Sequence, residues 1–141
     1  MIEFLGDLHP FLVHFPVALI LCAAGAEGAF VARRDTRWGN GARVMLLLAA
    51  WISIPAAAAG FAAASGESFS GEMARAFSIH RIAGISTPVL VVLAAGLAEG
   101  SRRSGQIWEL FLFRIVLVLA VASVIVAGIE GAELVHGLDA R

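Results

Sequence analysis

Charged residues are scarce in this chain, and lysine is absent altogether. Only 15% of its 141 residues are charged, compared with about 25% in ordinary soluble proteins. The net charge is −1, and no basic stripe with interleaved aromatic residues is present, which argues against nucleic-acid binding. Instead, 60% of the residues are hydrophobic and the mean hydropathy is +0.88. This composition indicates a membrane protein rather than a soluble domain.

Other features that would signal particular protein classes are also missing. The single cysteine, Cys22, excludes an internal disulfide and lies in an apolar run, where a buried thiol acts as a small hydrophobic residue. The first nine residues carry no arginine, so we expect no cleavable signal peptide. The sequence has no nucleophile constellation, phosphate-binding loop or paired catalytic carboxylates. These absences argue against a stand-alone hydrolase.

Long apolar runs are the main feature that the sequence does contain. Each is close to the ~20 residues that a helix needs to cross the hydrocarbon layer. Backbone polar groups cannot remain unpaired in lipid, so the runs must be helical. The sequence predicts an all-α fold with one domain, residues 1–141, in which a four-helix transmembrane bundle is formed by residues 10–32, 42–64, 78–99 and 110–135.

The arginine residues predict the orientation of this bundle. Two of the segments between the predicted spans are rich in arginine, and cytoplasmic loops carry an excess of basic residues. We therefore expect both termini on the outer, periplasmic side of a bacterial cytoplasmic membrane. The arginines that define the cytoplasmic side are Arg33, Arg34, Arg37, Arg43, Arg102 and Arg103.

All four histidines fall at the predicted outer ends of the helices. His9 and His14 open the first span, His80 opens the third and His136 closes the fourth. An ionisable residue within a membrane is costly and is treated as functional by default. Helix ends that meet in an antiparallel bundle would bring these side chains together. The sequence predicts a haem or metal site there, with His9, His14, His80 and His136 as candidate ligands.

The positions of the candidate ligands along their helices distinguish their roles. Five residues separate His9 from His14, which rotates the helix by about 140°, so one metal ion is not expected to bind both. His14 lies deeper and is the preferred ligand, and His9 is expected to be an interfacial partner or a ligand of a second centre. Glu133 precedes His136 by one helical turn and is a candidate to orient its imidazole. Gly137 is a candidate C′ residue of the fourth helix.

Two further arginines lie near the outer histidines. A helix is expected to begin after Ser70 as its N-cap and to carry Arg75, His80 and Arg81 into the third span. The two arginines either extend their charges to the membrane interface or pair with haem propionates. At the other end, Glu27 and Arg114 are expected to form an ion pair between helices.

The opening motif Leu8-His9-Pro10 followed by His14-Phe15-Pro16 resembles a bacterial membrane-protein family, domain of unknown function 2231. Its members look like compact four-helix proteins with a further histidine on the third helix, here His80. They also have a glycine-rich closing motif, which falls on Gly131, Leu134, Val135, His136 and Gly137. Some members look fused to cytochrome c domains. The resemblance implies a redox role in the membrane.

Three functions remain open from the sequence. The first is a b-type haem protein with one or two haems, in which His14 pairs with His80 or His136 and electrons pass to a periplasmic cytochrome or a quinone. The second is a non-haem copper, zinc or iron site built from the imidazoles with Glu133. The third is a structural or assembly subunit of a larger membrane complex.

Overall fold

A computed structural model describes the backbone of residues 2–65 and 67–139, and their side chains except those of residues 2, 3, 5 and 136–139. Five helices follow one another along the chain: α1 (Ile2–Asp7), α2 (His9–Arg33), α3 (Thr36–Ala63), α4 (Gly71–Ser104) and α5 (Ile107–Asp139). The last four are long and apolar enough to cross a membrane. The predicted all-α bundle with four candidate spans is confirmed.

The four long helices form two antiparallel hairpins. The α2–α3 connection consists of Arg34 and Asp35, and the α4–α5 connection consists of Gly105 and Gln106. In each connection the first residue has a positive φ, 59° for Arg34 and 68° for Gly105, which ends the preceding helix in the left-handed conformation. Asp35 caps α3 by accepting a 2.9 Å hydrogen bond from the backbone N–H of Arg37. The hairpins pack together chiefly through α3 and α4.

Small side chains fill the inside of the bundle and large ones cover its outside. Most of the buried apolar residues are alanines, and the largest fully buried side chains are Ile20, Leu46 and Val91. By contrast Phe11, Trp51 and many other large apolar residues are exposed. Lipid favours this distribution, because large side chains are as well solvated by lipid tails as by a core and small ones let helices approach closely.

Several helix ends agree with the sequence prediction and others correct it. Helix α2 begins at His9, and α4 begins directly after Ser70, although the Ser70 side chain makes no capping hydrogen bond. Helix α5 continues to Asp139, so Gly137 lies within the helix and is not its C′ residue. A glycine costs a helix interior only about 1 kcal/mol, which is too little to end a long helix by itself.

Two ion pairs connect the hairpins at the arginine-rich end of the bundle. Arg114 of α5 donates from Nε to Oε1 of Glu27 on α2 at 2.8 Å, which confirms the predicted pair. The second pair joins Arg43 of α3 to Glu99 of α4 and is not among those predicted from the sequence. Each pair has one member in each hairpin. The charges within the spans therefore link the two halves of the molecule.

Candidate functional site

His9 and His80 face each other from the two hairpins. His9 is the first residue of α2, and His80 lies in the third turn of α4, in the other hairpin. Their ring centroids are 6.4 Å apart and the ring planes are nearly perpendicular, at 88°. The fold thus pairs two imidazoles that are far apart in the sequence.

Each of these imidazoles is held by a backbone carbonyl of the neighbouring helix in its own hairpin. Nδ1 of His9 lies 2.9 Å from the carbonyl oxygen of Ala56, and Nδ1 of His80 lies 2.8 Å from that of Ala127. A carbonyl oxygen only accepts hydrogen bonds, so Nδ1 is the protonated nitrogen in each ring. Nε2 then keeps its lone pair. Metal-binding histidines are commonly held in this way.

Both imidazoles also lie directly against a glycine of the helix that supplies the carbonyl. A Cβ atom added to Gly60 would lie 2.8 Å from Cε1 of His9, and one added to Gly131 would lie 3.0 Å from Cε1 of His80. Real Cβ atoms rarely approach other atoms so closely. Glycine at these positions provides the space that each ring occupies.

The histidine pair lines a half-open cavity of about 180 Å³ whose walls come from all four long helices. Most lining side chains are apolar, and the hydroxyl groups of Ser53 and Thr87 donate to the carbonyl oxygens of Ala50 and Ala83. The hydroxyl donors are therefore satisfied by the protein, and each imidazole keeps its Nε2 for a ligand.

Among the arginines expected near the histidines, only Arg81 lines this cavity. Its guanidinium carbon lies 5.7 Å above the centre of the Phe77 ring, within cation–π range. Arg75 is exposed and does not line the cavity. One cationic side chain is thus available at the cavity.

His14 does not join the pair, contrary to the expectation that it would be the principal ligand. Its side chain is exposed, and its Nδ1 donates to the carbonyl oxygen of Pro10 in its own helix. The inward stripe of α2 runs through His9, Val13 and Pro16, which directs His14 to the outer face. The position of His14 farther along the helix favours it as the deeper ligand. The face of the helix, however, decides which side chain reaches the interior.

The fourth histidine of the chain is His136. The side chain of His136 lies outside the described residues, and Glu133, expected to orient it, is exposed. Within the part of the chain whose side chains are described, no three histidine, cysteine, aspartate or glutamate residues come together as a metal-binding group. The described donor set is therefore the pair of imidazoles.

Comparison with protein families places the chain in one of them. A family model described as "Predicted membrane protein (DUF2231)" matches residues 6–139. The chain belongs to the DUF2231 family. Both histidines of the pair lie within the matched region of this DUF2231 protein, and the resemblance carried by the His9–Pro16 motif is confirmed. No curated protein sequence and no solved structure matches the chain.

Proposed function

We propose that this membrane protein binds b-type haem through His9 and His80 and transfers electrons. The observation that carries the proposal is the pair of facing imidazoles, each fixed through Nδ1 to a backbone carbonyl. Bundle proteins build haem sites in this manner, from side chains on facing helices.

The separation of the two rings fits a single metal centre between them. Two imidazoles that bind one metal ion from opposite sides, through nitrogens about 2 Å from the metal, have ring centroids about 6 Å apart. The observed value is 6.4 Å. Perpendicular ring planes agree with such ligation, because each metal–nitrogen bond lies in the plane of its own ring. A quinone hydrogen-bonded between the imidazoles, with two bonds of about 2.8 Å plus its own width, would need a larger separation.

The number of donors favours haem over a non-haem metal. Protein zinc sites use three or four protein ligands, and copper and iron sites commonly use several. In haem the porphyrin supplies the equatorial nitrogens, so two axial imidazoles suffice. The described residues offer two imidazoles together and no larger donor group.

The remaining residues of the cavity suit an apolar cofactor with acidic edges. The lining is mostly apolar, and Arg81 supplies a positive charge for a propionate. The cavity of about 180 Å³ is smaller than a porphyrin, so the ring edge would extend through its open side. Haem supplies the one-electron carrier, and the protein sets its potential through ligands, burial and nearby charge.

The proposal is tested first by the visible spectrum of the detergent-purified protein, oxidised and then reduced with dithionite, with a pyridine haemochrome assay. We expect sharp α and β bands in the reduced state, because two nitrogen ligands give a low-spin iron, and one haem per chain. A protein that stays colourless after incubation with haem would refute the proposal. Metal analysis of that protein would then separate a non-haem metal site from a structural role.

The proposed periplasmic position of the site predicts a labelling pattern. In a Cys22→Ala background, Glu67→Cys in the α3–α4 loop is expected to react with a membrane-impermeant maleimide in intact spheroplasts. Gln106→Cys in the α4–α5 connection is expected to react only after the membrane is opened, because its neighbours Arg102 and Arg103 favour the cytoplasmic side. The reverse pattern would put the histidine pair on the cytoplasmic side.

A further inference from the structure

The two hairpins repeat one another contact by contact. His9 bonds to the carbonyl of Ala56 and lies against Gly60, while His80 bonds to that of Ala127 and lies against Gly131. Each residue of the second set follows its counterpart in the first by 71 positions. Each hairpin therefore contributes an equivalent half-site, which consists of a histidine, the carbonyl oxygen that holds it and the glycine beside it.

The same shift of 71 relates the framework around the site. The left-handed residues that end α2 and α4, Arg34 and Gly105, correspond in this register. Many buried residues that face the bundle interior also differ by 71 positions from a buried counterpart. The pairs are Ile20 and Val91, Ala23 and Ala94, Ala42 and Phe113, Leu46 and Leu117, Ala49 and Ala120, and Ser53 and Val124. Corresponding residues of the hairpins thus occupy corresponding places in the core.

The ion pairs between the hairpins follow the same relation. Arg43 and Arg114 differ by 71 positions, and their partners Glu99 and Glu27 differ by 72. Arg43 of the first hairpin pairs with Glu99 of the second, and Arg114 of the second pairs with Glu27 of the first. Such an exchange of partners is what an approximate two-fold relation between the hairpins produces.

From this relation we propose that the ligand site consists of two equivalent half-sites, in which Gly60 and Gly131 are matched positioning residues for His9 and His80. This proposal rests on the proposed function and adds the residues that aim the two ligands. The ligand class is a single metal centre, haem, which the two equivalent imidazoles would hold. The glycines touch the imidazoles and leave the contact with the ligand to Nε2.

Steric displacement explains how each glycine acts. A Cβ at Gly60 would lie 2.8, 3.1 and 3.3 Å from Cε1, Nδ1 and Nε2 of His9, and one at Gly131 would lie 3.0 and 3.1 Å from Cε1 and Nδ1 of His80. The ring is the far end of a side chain and can swing away, so the substitution is expected to disturb the ring rather than the helix. Swinging the ring lengthens its hydrogen bond to the carbonyl oxygen of Ala56 or Ala127 and displaces its Nε2.

The test compares Gly60→Ala and Gly131→Ala in the full-length protein with two control variants. Gly25 and Gly96, which also differ by 71 positions, do not line the cavity, and a Cβ added to either would have nothing within 4 Å. We expect Gly60→Ala and Gly131→Ala each to weaken haem binding by about 10–100-fold, as is typical for residues that orient a metal ligand. We expect Gly25→Ala and Gly96→Ala to bind haem as the unsubstituted protein does.

Equal losses in the two glycine variants would support equivalent half-sites. A loss in only one of them, or the same loss in the control variants, would overturn the proposal. The midpoint potential of any residual haem is a second measurement, because a displaced axial ligand changes the potential and a merely destabilised helix does not.

A measurement without haem separates this proposal from the proposed function. The ¹⁵N resonances of the histidine rings report which nitrogen is protonated and whether Nδ1–H is hydrogen-bonded. In haem-free protein, Gly60→Ala is expected to shift the resonances of His9, and Gly131→Ala those of His80, with His14 as an internal reference. Unchanged ring resonances would show that the glycines do not position the imidazoles, whatever cofactor the protein binds.

Discussion

Replacing either His9 or His80 by alanine is expected to abolish haem binding and remove the α and β bands of the reduced protein. The two imidazoles face each other at 6.4 Å and each would supply one axial ligand, so neither half-site is complete alone. The visible spectrum and the pyridine haemochrome content of the purified variants measure the loss. The yield of folded protein from size-exclusion chromatography is measured in parallel.

His14→Ala is the matched control for these two variants. It removes a histidine from the same helix as His9, but the side chain of His14 is exposed and donates to the carbonyl oxygen of Pro10. We expect His14→Ala to keep the full haem content. Loss of the bands in His14→Ala, with normal spectra in His9→Ala, would restore the ligand assignment that the sequence favours and refute the one proposed from the fold.

Arg114→Ala is expected to lower the free energy of unfolding by about 3 kcal/mol, since it leaves a buried carboxylate without its partner. The side chain of Glu27 is 9% exposed and its Oε1 accepts a 2.8 Å hydrogen bond from Arg114. Titration of the micelle-bound protein with SDS, followed by circular dichroism, measures the change in stability.

The double variant Glu27→Gln with Arg114→Met identifies the cause of that loss. It removes both charges, so it is expected to be less destabilised than Arg114→Ala alone. Arg103→Ala is a suitable control, because Arg103 is exposed and shares its partner Glu99 with Arg43 and Arg102. A double variant as unstable as Arg114→Ala would mean that packing, and not the unpaired charge, accounts for the loss.

The repeat that relates the two hairpins at a shift of 71 positions is visible in the sequence itself. Ala23-Ala24-Gly25 recurs as Ala94-Ala95-Gly96, and His9 and Arg43 recur as His80 and Arg114. Comparing the chain with itself at a shift of 71 would have pointed to His9, since His14 falls on Ile85 in that register. The same comparison would have paired Gly60 with Gly131.

The structural roles of the glycines and carbonyls could not be read from composition or spacing. Gly60 and Gly131 matter because an imidazole from another helix occupies the space beside them. The carbonyls of Ala56 and Ala127 are backbone atoms that every residue carries, so no residue type marks them. Gly96, by contrast, has nothing within 4 Å of an added Cβ, so glycine itself does not mark a position that holds a ring.

The sequence by itself determined that the chain forms four helices long and apolar enough to span a membrane, since runs of about 20 apolar residues must hydrogen-bond internally in lipid. It also determined that Glu27 and Arg114 would pair, because unpaired charges are costly there. Only the tertiary structure decided which histidine faces His80. Depth in the membrane follows from position along the chain, but the inward face of a helix follows from how its neighbours pack against it. The rotation of α2 within the bundle therefore directs His9 inward and His14 outward.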